Sequence, residues 1–330
     1  IAFSCETLTS IDSSKIGHSL KVNEVFSNLR YLLNHDHRSN IKIGIETVLM
    51  NSNFKYLPEM VNKLGELGAD YFSVSHLYPY DSSLSEEVLY TMISKEALII
   101  LDELGESGWD FILGVTKEQF GKKMQLTFRE RYKHKENIKT KDRPYSVKYD
   151  KLLKKAKEMN VTLNIPLYMN EREKIERLQE LQNIFSRSKD NAKDLGIELI
   201  LPSIFSEFKN RRCPYQSIDA TVIRADGEVA PCFKYLYDHN SSLNQHERAT
   251  SSHSFGNADS QPLSSIWNGE EYKRFREKLN EMNKNIPFCG NCSLSSSNCF
   301  YAIEDTSDCW GNEPSCSECP YSMNLTRCLL

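Results

Sequence analysis

Seven cysteines fall within forty positions, at Cys289, Cys292, Cys299, Cys309, Cys316, Cys319 and Cys328, and two more, Cys213 and Cys232, lie a little upstream. The tenth, Cys5, stands two hundred residues away from them. Three chemistries use thiols at such density. A disulfide framework needs an oxidising compartment, and nine thiols leave one unpaired. Structural zinc would use the two CxxC knuckles, "CGNC" at 289–292 and "CSEC" at 316–319, and would leave five thiols without a role. Iron–sulfur clusters take four thiolates each, so two [4Fe–4S] clusters use eight of the nine. No histidine lies between Cys289 and Cys328, which leaves sulfur as the ligand type of that stretch.

The spacing narrows the choice. "CPYQSIDATVIRADGEVAPC" runs from Cys213 through Gly227 to Cys232 as C-x13-G-x4-C. Within it, "ATVIRADGEVAPC" reads as a hairpin with an Asp226-Gly227 turn, which would bring Cys232 back toward the start of the unit. "SFGNADSQPLSSIWNGEEYKRFREKL" follows, and then the knuckles. This order resembles the SPASM domain of radical S-adenosylmethionine (SAM) enzymes, over residues 213–328. The tail "DCWGNEPSCSECPYSMNLTRC" is similar to one subgroup, which includes tungsten-cofactor oxidoreductase maturases and some peptide maturases. The resemblance implies two auxiliary [4Fe–4S] clusters held by these nine cysteines. It does not say which cysteine is the spare, and the nine depart from the common seven-cysteine pattern.

Something must position the reacting groups, and the first two hundred residues read as that scaffold. "IAFSCET" (1–7), "IKIGIETVLM" (41–50) and "ADYFSVSHLYPY" (69–80) are strand-like, and they alternate with the helical stretches "KVNEVFSNLRYLLNHD" and "NFKYLPEMVNKLGELG". Leu57, Met60, Val61, Leu64 and Leu67 fall on one helix face, and Gly68 marks its end. Strand–helix repetition at 30–40 residues predicts a parallel α/β sheet or barrel. The strands carry polar residues on one face: Ser4 and Glu6, then Glu46, then Ser73 and Ser75. Such a face suits a polar barrel lumen. This part resembles the second half of a radical SAM partial (β/α) TIM-like barrel, and by that resemblance the five polar residues are expected to contact SAM. Cys5 alternates away from them and reads as a small buried residue.

The CxxxCxxC that defines the radical SAM family, which would hold a third [4Fe–4S] cluster, is absent, and the sequence opens inside a strand without a Met. A missing N-terminal region is therefore expected. The expected organisation is a partial barrel over 1–81, a helix-rich remainder or insertion over 82–210, and an α+β cysteine-rich domain over 211–330. Within the middle part, "SEEVLYTMISKEALIILDELGESG" predicts one amphipathic helix starting near Ser83. Residues 117–158 hold 15 Lys or Arg against 6 Asp or Glu, a solvated surface or a dock for an acidic peptide. "AKEMNVTLNIPLY" and "AKDLGIELILPSI" each read as helix end, strand and proline.

Net charge is −4, so nothing global points to nucleic acid. No apolar run reaches membrane-spanning length, and the reading is cytoplasmic. The resemblance implies a maturase that modifies a peptide or protein through a 5′-deoxyadenosyl radical, fed by an electron donor such as flavodoxin or ferredoxin. Two other classes stay open: an iron–sulfur electron-transfer or scaffold protein with a degenerate barrel, and a zinc-stabilised interaction protein.

Overall fold

A computed structural model describes residues 2–4, 22–35, 38–105, 111–115, 118, 144–296, 299–304 and 306–327. Four strands form one parallel sheet in the order β1 (Ala2–Ser4), β2 (Gly44–Leu49), β3 (Tyr71–His76), β4 (Glu198–Ile200). Helix α1 (Val22–Leu33) connects the first pair and α2 (Leu57–Glu66) the second. The apolar stripe of α2 is buried at Leu57, Met60, Val61 and Leu64, and Leu67 packs against the same core. The helix stops where expected. Gly68 takes φ +75° and Ala69 N–H donates back to the Leu64 carbonyl at 3.1 Å, the left-handed ending that glycine tolerates best.

Alternation along the strands sorts the sheet into two faces. Ile45, Thr47 and Leu49 of β2, with Phe72, Val74 and His76 of β3, are buried. Most of them join the core formed with α1, α2 and the long helix of residues 172–195. Glu46, Val48, Ser73 and Ser75 lie half-buried on the opposite face. The sheet runs on past residue 81, because β4 comes from the middle of the chain and pairs with β3 at Tyr71↔Glu198, Phe72↔Leu199 and Ser73↔Ile200. The fold is mixed α/β around a small parallel sheet.

His76 shows how dry the covered face is. Its ring is 2% exposed and lies 5.6 Å from Tyr90 and 6.2 Å from Phe185, stacked on the latter. Burial, reinforced by the charge of Lys174, pushes its imidazole down to about 3. The unfolded chain binds a proton near pH 6.5 that the folded chain refuses, so stability falls as pH drops from there toward 3. At pH 5 the loss is about 2 kcal/mol relative to pH 7. Urea titrations of wild type and His76→Phe should show this slope in the first and its loss in the second. Equal pH profiles would contradict the assignment.

The single helix expected over 85–108 does not form. Residues 87–94 are buried at every position, which no one-faced helix allows. A short 3-10 helix ends at Glu87, and the chain from Val88 runs on without helix to Ser94, with a bridge from Thr91 to Phe205. The helix α3 starts only at Lys95 and ends at Leu101, and Ser94 caps it by accepting from Ala97 N–H at 3.2 Å. Of the two look-alike stretches, only "AKDLGIELILPSI" makes a strand, β4. The other ends α4 (Pro144–Glu158) and leads into α5 (Ile165–Asn170), where Asn164 is the cap and Pro166 occupies the first turn. Helix α6 (Arg172–Leu195) follows. Most of the basic stretch 117–158 lies outside the described residues. Inside α4, Lys155 pairs with Glu103 at 2.6 Å and Lys154 approaches Glu158 at 3.9 Å.

In the cysteine-rich half, β5 (Val222–Ile223) and β6 (Val229–Ala230) form the expected antiparallel hairpin. Gly227 takes φ +82° in its turn, and a Cβ there would stand 2.6 Å from Asn257 Oδ1. The reason is that the "FGN" segment closes over the turn. Val229 N–H donates to the Gly256 carbonyl, Phe255 N–H to Val229 and Ala258 N–H to Gly227, while Asn257 Nδ2 donates to the Asp226 carbonyl at 2.9 Å. Two sequence motifs thirty residues apart are thus one structural unit. A second hairpin, β7 (His239–Leu243) and β8 (His246–Thr250), comes between them. Helices α7 (Leu263–Trp267) and α8 (Glu270–Asn280) bury Ile266, Tyr272, Phe275 and Leu279 against Val229 and Tyr235 in a small core that also takes in Cys316.

Candidate iron–sulfur centre

Four thiols from three separated segments line one cavity: Cys213 and Cys232 at the two ends of the β5–β6 hairpin, and Cys316 with Cys319 from the second knuckle. Tyr215, Phe275 and Met282 supply its apolar wall. Burial, and then the negative charge that Cys319 and Cys213 would carry, pushes the Cys232 thiol up. The same causes push up Cys316. Four thiolates in this space would repel one another, and bound positive charge would relieve that.

A second group forms around the first knuckle. Burial pushes the Cys289 thiol up to about 12, with Glu318 adding to it, Ser317 and Arg248 opposing it, and Cys292 a further contributor. Burial also raises Cys309, followed by Asp308 and then by Cys292 and Cys299. Cys292 and Cys309 are exposed and Cys299 half-exposed, so this group lies nearer the surface than the first. The knuckles touch each other: Cys289 N–H donates to the Ser317 carbonyl at 3.1 Å and its thiol to Ser317 Oγ at 3.3 Å. None of the eight described cysteines is in a disulfide. Cys328 lies outside the described residues. Among the described residues no three His, Cys, Asp or Glu side chains gather closely enough to grip a single metal ion. An iron–sulfur cluster spreads its four thiolates over separate irons, and an all-thiol set around a cavity is the donor chemistry such a cluster takes.

Buried charges frame both groups, and sequence reasoning missed all of them. Lys234 is 4% exposed and lines the first cavity; its Nζ donates to Tyr235 Oη at 2.9 Å and to the Ser315 carbonyl at 3.3 Å. Arg211 donates to Asn283 and to the carbonyls of Met282, Ile286 and Pro287. Burial weakens its hold on its proton, and the charge of Cys316, Cys319 and Cys289 works against that. Arg248 of β8 meets Glu318 at 3.0 Å, both side chains fully buried, and His246 reaches the same carboxylate oxygen at 3.2 Å. Arg248 Nε also donates to the Ala302 carbonyl at 3.0 Å. Asn164, the cap of α5, clamps the first knuckle through Nδ2 to the carbonyls of Gly290 and Cys292 and to Ser296 Oγ. An Asn before Ile-Pro signals a helix cap; nothing local signals a partner 126 residues away.

The polar residues of the sheet are placed as follows. Ser4, Glu46 and Ser73 stand in register across β1, β2 and β3, and Glu46 and Ser73 lie half-buried on the face opposite the helices. Partial burial pushes the Glu46 carboxyl above the usual carboxylate range. Ser75 is used by the tail of the cysteine-rich half: Arg327 N–H donates to its Oγ at 3.0 Å, and the Arg327 guanidinium donates to the Leu201 carbonyl at 3.3 Å. Glu6 and Cys5 lie outside the described residues.

The pairing of a Cys213–Cys232 hairpin with a closing FGN segment and a following knuckle has counterparts in known proteins. Residues 213–293 match the SPASM family, an iron-sulfur cluster-binding domain. This region is a SPASM domain. A tungsten-containing aldehyde ferredoxin oxidoreductase cofactor-modifying protein of Pyrococcus furiosus is 37% identical over 134 residues, which are 40% of this chain and 36% of that relative. The match thus spans little more than a third of the curated relative. No solved structure matches the chain. The SPASM match ends at residue 293, so Cys299, Cys309, Cys316 and Cys319 lie beyond it. The fold nevertheless returns Cys316 and Cys319 to the cavity of Cys213 and Cys232. No helix among the described residues is long and apolar enough to cross a membrane.

Proposed function

We propose that the chain acts in a radical SAM/SPASM maturase that modifies a peptide or protein, with two auxiliary [4Fe–4S] clusters. Cys213, Cys232, Cys316 and Cys319 hold one; Cys289, Cys292, Cys299 and Cys309 hold the other. The observation that supports this reading is the gathering of Cys213, Cys232, Cys316 and Cys319 around one cavity at a SPASM hairpin. When bound, the clusters supply one-electron redox capacity. The chain's own residues supply a dry cavity, fixed knuckles and balancing charge. In the same reading the sheet is part of a TIM-like partial barrel. The polar row of Ser4, Glu46 and Ser73, with Glu6 and Ser75, faces SAM, while a third cluster belongs to the full-length protein. A flavodoxin or ferredoxin serves as electron donor, in the cytoplasm.

Lys234 gives a specific test. Its charge sits beside the first four thiols and favours the more negative, reduced state of whatever they hold. Replacing it with methionine should lower the midpoint potential of that centre by about 60 mV or more, tenfold in the reduced-to-oxidised ratio of a one-electron couple. Redox titration followed by electron paramagnetic resonance should resolve two centres after anaerobic reconstitution, and Lys234→Met should move one of them at full iron content. A protein with no reducible centre would overturn the reading.

A further inference from the structure

We propose that a polar recess beside the Cys289–Cys292 loop is the subsite for an amide group of the peptide substrate. The proposal deepens the peptide part of the function given above and rests on it. The recess, about 210 Å³, is bounded by Tyr90 and Met92 of the buried extended segment, by Glu171 and Lys174 at the start of α6, and by the β7–β8 turn around Asn244. That volume suits one side chain or one peptide unit rather than a whole ligand.

Two buried polar groups point to what fills it. Tyr90 is 2% exposed and Asn244 is 7% exposed. Among the described residues neither the Tyr90 hydroxyl nor Asn244 Oδ1 has a hydrogen-bond partner, and buried polar groups in native proteins are seldom left so. The orientation of the Asn244 amide is determined by its other end. Nδ2 lies 2.7 Å from Ser295 Oγ, and that hydroxyl is directed at the carbonyls of Cys289 and Cys292 at 2.6 and 2.7 Å. Ser295 therefore accepts from Asn244, and the amide oxygen is the atom left for a ligand. Asn244 and Gln245 both take positive φ, 53° and 67°, as a two-residue hairpin turn requires; the turn presents the side chain on a rigid hairpin.

Charge selects the ligand class. Lys174 pairs with Glu171 at 2.6 Å, and the other Glu171 oxygen accepts from Thr91 Oγ1 at 2.6 Å. Glu247 and His246 line the recess as well, so a second carboxylate stands beside the Lys174–Glu171 pair; an anionic ligand would add uncompensated charge, and a neutral one would not. A ligand with one N–H for Asn244 Oδ1 and one carbonyl for the Tyr90 hydroxyl satisfies both groups, which is an amide. A carboxylate would set oxygen against Asn244 Oδ1 and Glu171. The recess adjoins the first knuckle: a Cβ on Gly290 would come within 2.8 Å of Met92 Cβ. A bound amide would sit against the loop that carries Cys289 and Cys292.

Met92 supplies the readout. The full chain, labelled with carbon-13 in its methionine methyl groups, would be titrated with N-acetyl-L-glutamine amide, with N-acetyl-L-leucine amide and acetate as controls. The glutamine derivative should move the Met92 signal saturably and at least about tenfold more tightly than either control. Tyr90→Phe and Asn244→Gly, the latter keeping the turn, should each weaken that binding about tenfold. Tyr90→Phe should melt no lower than wild type, because it removes a hydroxyl that has no protein partner. Equal response to all three probes overturns the subsite, and so does a lower melting temperature for Tyr90→Phe, which would mean that the hydroxyl holds a structural water. Iron analysis of the same samples reads the cluster assignment separately. Full iron with a silent Met92 defeats the subsite alone; an amide-specific shift without iron defeats the cluster reading alone.

Discussion

Cys319→Ala should remove about half of the iron of the reconstituted protein, and so should Cys292→Ala. The informative variants are the doubles. Cys316→Ala with Cys319→Ala changes two thiols of one cavity, so it should lose no more iron than either change alone. Cys292→Ala with Cys319→Ala strikes both groups and should leave almost none. The loss is expected to reach folding as well. The core around Val229, Tyr235, Ile266, Tyr272, Phe275 and Leu279 is small and includes Cys316 itself, and binding free energy at such a site is folding free energy. Thermal unfolding of each single variant should start in the cysteine-rich half, with the sheet core retained. If the same-group double loses twice the iron of its singles, the four-and-four division is wrong.

The second large effect concerns charge rather than thiols. Arg248 and Glu318 are both fully buried and 3.0 Å apart. Taking two charges out of water is costly, and removing one partner strands the other. Arg248→Met takes the guanidinium away from the buried Glu318 carboxylate and should destabilise the protein by about 3–5 kcal/mol. It also frees the Ala302 carbonyl, between Cys299 and Cys309, from its donor. Arg248→Met with Glu318→Gln should recover much of that loss, since no buried charge is then stranded. Urea denaturation of the two singles and the double forms the required cycle. A cost below about 1 kcal/mol for Arg248→Met would place the pair in water.

The cysteine chemistry was legible because it is local. Each CxxC pair keeps its two thiols in one group, and the Asp226-Gly227 turn announces the hairpin that brings Cys232 back to Cys213. What joins those two to Cys316 and Cys319 is the packing of α8 and the knuckle around one small core, across more than eighty residues, and no spacing records it. The strands of the sheet were equally plain from alternation, with β1, β2 and β3 inside the expected stretches. The polar row in register is a consequence of parallel pairing, which the alternation only implied. Residues 87–94 failed for a physical reason. A segment buried on every side has no polar face to reveal its period, and its apolar run merged in the reading with the true helix after Ser94. Asn164, Lys234, Arg248 and Glu318 stayed hidden because isolated polar residues read as surface until a fold buries them. Glu318 is the plainest case, since a glutamate between two cysteines of a knuckle looks like a solvent-facing filler.

Two four-iron clusters in the cysteine-rich half fix the metal and sulfide content of the chain. Anaerobically reconstituted protein should carry about eight iron and eight acid-labile sulfide per chain, with zinc well below one equivalent. One equivalent of zinc with neither iron nor sulfide would contradict the account and make the knuckles a zinc-stabilised fold instead.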